Sequence, residues 1–447
     1  MGNYQGYQKY QDSGVKWLGE IPEHWEQKRF KFSVNLINNK IEAENSNLSY
    51  MGLEHIESWT GKKIEDKNAS SEGIGSHFLP NDVLFGKLRP YLAKVYLSDI
   101  EGLASTEALV LRCKNNIFPK FLKYYILSRD FINIVDSSTF GAKMPRASWD
   151  FIGNLFFIFP PLNEQEKIAQ FLDYKTKQID ELIKKKETLI EKLDEKRTAI
   201  ISHAVTKGLD SSVPMKDSGV EWLGEIPEHW EKSQLGYLAK VKARLGWKGL
   251  TAQEYVNDGY IFLATPNIKN EDYIDFQNVN YITSERYFES PEIMLEKNDI
   301  LLVKDGSTLG IVNIVRELPS PSTVNSSIAV VRITKKLYSE FLFRWLTGLY
   351  IQSLIQLMKG GQGVPHLFQA DIKKFFIVIP PFSEQKQIAE YLDQKTTQID
   401  QQKAKIQEAI ELLKEYRTSL ITNAVTGKID VSQIAIPSPQ KPQPQKG

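Results

Sequence analysis

The sequence predicts an α+β chain in which two similar mixed α/β domains are joined by two long antiparallel helices of coiled-coil type, with pseudo-two-fold symmetry. Three observations predict it. The phrase "DSGVKWLGEIPEHWE" at 12–26 returns as "DSGVEWLGEIPEHWE" at 217–231 with one change. A longer segment, "FPPLNEQEKIAQFLDYKTKQID" at 159–180, returns as "IPPFSEQKQIAEYLDQKTTQID" at 379–400, and the match runs on without a gap to 210 and 430. The blocks between these repeats differ in sequence yet share a skeleton. Self-similarity at this range marks a tandem duplication and fixes the organisation before any local structure is read.

Taken in order, each phrase packs Trp, Leu, Ile, Pro and Trp into a short span (Trp17, Leu18, Ile21, Pro22, Trp25 and Trp222, Leu223, Ile226, Pro227, Trp230), which suits a buried wedge. The second copy follows the end of the first long segment closely, so it is expected to pack near Ala204 and Val205. Symmetry then places residues 12–26 beside residues 420–432, near Ala424 and Val425. His24 and His229 occupy one position of the phrase and are read as structural.

The variable blocks 27–158 and 232–378 align as "NDVLFGK" (81–87) with "NDILLVK" (298–304), "ALVLRCK" (108–114) with "IAVVRIT" (328–334), "KFLKYYILSRDF" (120–131) with "EFLFRWLTGLYI" (340–351), and "GAKMPRAS" (141–148) with "GQGVPHLF" (361–368). The β-branched and aromatic runs read as strands, the aromatic-rich stretch as a buried helix.

The segments after each Pro-Pro read as helices. The prolines block helix upstream, Asn163 and Ser383 stand where an N-cap belongs, and Glu166 completes a capping-box spacing. Apolar residues recur at three-to-four spacing, from Ile168, Leu172 and Ile179 to Ile200 and Ala204, and from Ile388, Leu392 and Ile399 to Leu420 and Ala424. A segment from 163 to 205 is ~60 Å long at helical rise, more than one small domain covers, so each stripe needs a long partner, and the other copy supplies it. The expected domains are 1–158, the central long helix 159–210, 211–378, the C-terminal long helix 379–432, and a disordered Pro/Gln tail at 433–447.

Composition excludes more than it identifies. Across 447 residues, 56 basic and 55 acidic side chains leave a formal charge of +1, so any nucleic-acid site is local. Each variable block carries 17 basic and 14 acidic residues, whereas the phrases are acidic. If any part meets phosphate, it is the blocks. A single cysteine, Cys113, rules out an internal disulfide and a Cys-rich zinc site. The start of the sequence has no signal pattern and no apolar run of about 18 residues occurs, so a cytoplasmic protein is expected. Neither a P-loop nor a dinucleotide fingerprint is present. "FPPL" and "IPPF" lack the amide or carboxylate with which a DNA methyltransferase holds a flipped base. Asp82 and Asp299 read as turn residues at strand ends rather than as metal ligands. No catalytic residue, metal ligand or cofactor of the chain's own is expected.

What remains is recognition. Lys87, Arg89, Tyr91 and Lys94 fall in a hairpin-like turn of the first block, with Lys143 and Arg146 in a later loop. The second block offers Lys304, Ser307 and Thr308, with Gln362 and His366 in the later loop. Arginine and lysine suit guanine edges and phosphates, and hydroxyl and amide side chains serve base or phosphate. One skeleton with different polar tips is what two sequence-reading modules require.

The phrase, the Pro-Pro followed by "NEQEKIAQFLD" and "SEQKQIAEYLD", and the endings "RTAIISHAVTKG" and "RTSLITNAVTGK" resemble the specificity subunit of type I restriction-modification enzymes. That resemblance implies two target-recognition domains, each reading half of an asymmetric split site in double-stranded DNA. It also implies a helical spacer that sets the distance between the halves. It further implies a chain without catalytic activity that binds two modification (methyltransferase) subunits and the restriction (translocase/endonuclease) subunits. S-adenosylmethionine, ATP and Mg then belong to those partners.

Overall fold

The computed structural model describes residues 4–42, 46–64, 73–139, 143–244, 249–269, 273–334, 336–358 and 366–435. The chain divides into two compact units, residues 1–187 with 407–447, and residues 188–406. Two long helices, Leu162–Lys207 and Phe382–Val425, each begin in one unit and end in the other.

In the first unit an antiparallel sheet runs in the order Val34–Ile37, Ala108–Cys113, Val83–Gly86, Val95–Leu97. A second sheet follows the order Lys40–Glu42, Ile74–Phe78, Gly102–Ser105, Ser49–Met51, its last pair parallel. The second unit repeats the plan. Ala239–Ala243, Ile328–Ile333, Ile300–Val303 and Val312–Ile314 form the antiparallel sheet. Asn280–Ile282, Tyr260–Leu263 and Ser322–Val324 form the smaller one. The aligned sequences "NDVLFGK" and "NDILLVK" therefore fill the same sheet position.

These central strands are apolar on both faces because both faces are covered. Val83, Phe85, Leu109 and Leu111 point into a core shared with helical residues, while Leu84, Ala108 and Val110 point toward the second sheet. Ile300, Leu302, Ala329 and Val331 alternate with Leu301, Val303, Ile328 and Val330 in the same way. Period-two alternation with both sides buried reads in sequence as a continuous apolar run.

The "ND" turn before each strand is built alike. Asn81 and Asn298 take left-handed φ of 72° and 74°, which asparagine tolerates better than most residues. The following Asp82 and Asp299, each 1% exposed, accept from the backbone N–H of Leu79 and Glu296, then bind Arg112 and Arg332 through both oxygens at 2.7 Å. Both carboxylates are consumed by this brace, as a turn role requires. The aromatic-rich stretches become helix pairs, Pro119–Ile126 with Arg129–Ser137, and Ser339–Thr347 with Leu349–Met358, rather than one helix each. Ser128 breaks the first by capping the next helix, its hydroxyl accepting from Phe131 N.

The long helices start earlier than their sequences predict. Leu162 and Phe382 follow the second proline directly, and the Pro161 carbonyl accepts from Glu164 N and Gln165 N. Asn163 and Ser383 thus lie inside the first turn and do not cap. Within the second unit the helical segments are antiparallel, with Asp194 against Lys403 at 2.6 Å and Arg197 against Asp400 at 3.8 Å. In the first unit Asp180 meets Arg417 at 3.0 Å. Asp180 aligns with Asp400, and Arg197 with Arg417, so one Asp–Arg pair occurs in each unit with the helices exchanged.

Each phrase seats where the start of one long helix meets the end of the other. Leu18, Ile21 and Trp25 share a core with Ala424 and Val425, and Tyr10 Oη donates to Gly427 O at 3.0 Å. Leu223, Ile226 and Trp230 share one with Ala204 and Val205. Trp25 Nε1 donates to Glu164 at 3.1 Å with His24 Nε2 at 2.9 Å from the same carboxylate, and Trp230 and His229 repeat both distances on Glu384. A glutamate in a first helical turn also complements the helix dipole. The histidines are therefore structural. Among the described residues no helix is long and apolar enough to cross a membrane.

Candidate nucleic-acid interface

One backbone frame in each unit joins a strand-end lysine to the late loop. In the first, Lys87 N donates to Glu107 O at 2.9 Å, Ala147 N to Lys87 O at 2.9 Å, and Leu88 bridges Arg146. In the second, Lys304 N donates to Ser327 O at 2.8 Å, Leu367 N to Lys304 O at 2.8 Å, and Asp305 bridges His366. The residue leaving the third strand is thus clamped between the start of the second strand and the late loop, identically twice. This brings Lys87 together with Arg146, and Lys304 with His366, across about 60 residues of chain in each block.

The polar tips on the frame differ. Arg89 holds a left-handed φ of 51° and donates its backbone N–H to Pro145 O at 2.8 Å, which joins the two loops. Pro90 follows it in a short turn, Pro90–Leu92, that leaves Tyr91 46% exposed. Lys143 and Arg89 are exposed and Lys87 is half-buried; among the described residues no ion pair engages Lys87 or Arg89. Arg146 is held by Glu107, whose hydrogen bonds raise the guanidinium's affinity for its proton.

Two candidates turn inward. Lys94 Nζ donates to Leu53 O at 2.6 Å and Ile56 O at 3.0 Å, bracing the 53–56 turn, so the structure does not present it as a reading group. Lys304, 8% exposed, donates to Asp305 Oδ2 at 2.8 Å, and Asp305 also pairs with His366. Alternation places every second residue of a hairpin inside, and neither lysine carries a local mark of that direction. Ser307 and Thr308 are exposed and line a cavity of about 880 Å³ whose other lining residues include Asp194, Arg197, Asp400 and Lys403. Gln362 lies outside the described residues.

Sequence reasoning missed Glu107 as a partner of Arg146, because no periodicity links residues 39 apart. It also missed Gln165 and Gln385, each 0% exposed. Gln165 accepts from Phe118 N at 2.8 Å and donates to Asn116 O and Pro160 O, and Gln385 does the same with Tyr338 N, Lys336 O and Pro380 O. These glutamines lock the start of each long helix to the block beside it. Their signal was on the page, since "EQ" follows Pro-Pro in both copies.

Comparison with known proteins agrees with this architecture. The profile of the type I restriction modification DNA specificity domain matches residues 26–192 and again 227–412. The type I restriction enzyme MjaVIII specificity subunit of Methanocaldococcus jannaschii is 24% identical over 424 residues, covering 93% of this chain and 95% of its own length. A chain from a structure addressing complex assembly and conformational transition of the type I R-M system superposes with a TM-score of 0.71 at 18% identity, covering 91% of this chain and 98% of that one. The HsdS subunit of Thermoanaerobacter tengcongensis gives 0.52 at 19% identity, covering 94% of this chain and 100% of that one. With two matched domains spanning most of its length, the chain belongs to the type I restriction-modification DNA specificity family and is a specificity subunit, with catalysis residing in partner subunits.

Proposed function

We propose that the two blocks read different halves of one asymmetric, bipartite site in double-stranded DNA. Residues 1–158 and 211–378 act as the two recognition domains, and the helices 159–210 and 379–432 set the spacer between the halves. The observation that carries this reading is the frame repeated in each unit with unlike side chains: Arg89 and Arg146 on one, Asp305 and His366 on the other. Equal frames give equal approaches to a groove, and unlike tips give unlike base preferences.

The duplicated surfaces provide one docking place for each of two modification subunits, and restriction subunits join that assembly. The chain needs no cofactor of its own; S-adenosylmethionine, ATP and Mg serve the partners. The complex works in the cytoplasm, where its DNA is.

Titrating the assembled complex with duplex DNA across salt concentrations tests this. Specific binding whose log affinity falls linearly with log salt is expected. Salt-insensitive or absent DNA binding favours a coiled-coil adaptor instead, and binding of S-adenosylmethionine by the isolated chain favours a self-sufficient enzyme.

A further inference from the structure

The frame of the first unit fixes an arginine in a side-on pair. Glu107 Oε2 accepts from Arg146 Nε at 3.0 Å and Oε1 from Nη2 at 3.2 Å. Those two contacts use the Nε–Nη2 edge of the planar guanidinium and leave the adjacent Nη1–Nη2 edge, with one hydrogen on each nitrogen, as a second donor pair. Among the described residues no acceptor engages Nη1.

Both backbones are held. Glu107 O accepts from Lys87 N, Glu107 N donates to Ser105 Oγ at 3.2 Å, and Arg146 bridges Leu88. The pair remains open to solvent, with Arg146 47% and Glu107 29% exposed in their side chains. An exposed ion pair contributes little to folding, so the two-contact geometry matters for where it aims the guanidinium.

We propose that Glu107 is a positioning residue that holds Arg146 side-on, so that the outer edge of Arg146 donates to O6 and N7 of one guanine in the major groove. The base identity at one position of the half-site read by the first block then depends on this pair. This rests on the reading that the first block contacts DNA. The second unit has Ser327 where Glu107 stands and His366 where Arg146 stands, with Asp305 approaching from the other strand. No guanidinium fork exists at that place, so the second half-site is read without this contact.

The test uses the assembled complex with its modification subunit and duplexes carrying its methylated motif. Each guanine of the first half-site is replaced in turn by 7-deazaguanine, which lacks the N7 acceptor. One such replacement is expected to weaken wild-type binding about 10-fold or more. The same replacement should cost nothing further in R146A or R146K, and E107Q should lose most of that discrimination while second-half-site preferences stay unchanged. R146K guards against misfolding, because it keeps the charge and the salt slope but not the fork. The inference is overturned if all three variants discriminate as wild type does. It is equally overturned if R146A weakens every sequence equally and lowers the salt slope by about one, the mark of a phosphate contact. Should the motif still follow the block 27–158 when that block is exchanged, this inference alone has failed; should it not, the reading beneath it has failed.

Discussion

Gln165 and Gln385 each satisfy one backbone N–H and two carbonyls in a dry setting. Replacing either by alanine strands those groups without water, at a cost of about 1–3 kcal/mol per unsatisfied group. Urea unfolding of Gln165→Ala and Gln385→Ala should show a clear loss of stability for each, and a change below about 0.5 kcal/mol would contradict the assigned role. At this scale the sequence was legible where one side chain decides a local conformation. Asp82 and Asp299, read as turn residues at strand ends, are such a case, whereas their partners Arg112 and Arg332 emerged only from the fold. It was illegible where the partner lies far along the chain, as with Glu107 and Arg146, or where direction alone sends Lys94 inward. The histidine-tryptophan pair of each phrase was correctly read as structural, yet its partner, Glu164 or Glu384, emerged only from the fold.

Among elements, the long helices were the most legible because their three-to-four apolar spacing runs over many turns. The stripe separates buried from exposed positions on one helix: Leu172 is fully buried and Leu182 is 43% exposed. Leu172→Ala is expected to cost about 2–5 kcal/mol and Leu182→Ala well under 1 kcal/mol in the same unfolding measurement. Equal costs would mean that the stripe does not define the packed face. The helix starts were misplaced because the second proline serves as the cap itself, its carbonyl taking two N–H groups. The aromatic helices were read as single elements because Ser128 and Gly348 interrupt them without breaking the apolar pattern. The alignment of the two blocks identified equivalent strands, which fall at equivalent sheet positions, but the order of the strands emerged only from the fold.

For the whole molecule, duplication is the fact that organises everything else. It gives each unit a phrase at the meeting of two helix ends, a glutamine lock, an Asp–Arg pair between helices, and a backbone frame that joins a strand end to the late loop. Selection on one frame is shared, while the tips are free to differ, so two unlike half-sites are the expected product. The measurement that tests this most directly is methylome sequencing of a host carrying the complex, before and after residues 27–158 are exchanged for the corresponding block of another specificity subunit. The account predicts an asymmetric bipartite motif in which the exchange rewrites one half and leaves the other half and the spacer intact. A continuous palindromic motif, or a motif unmoved by the exchange, would contradict it.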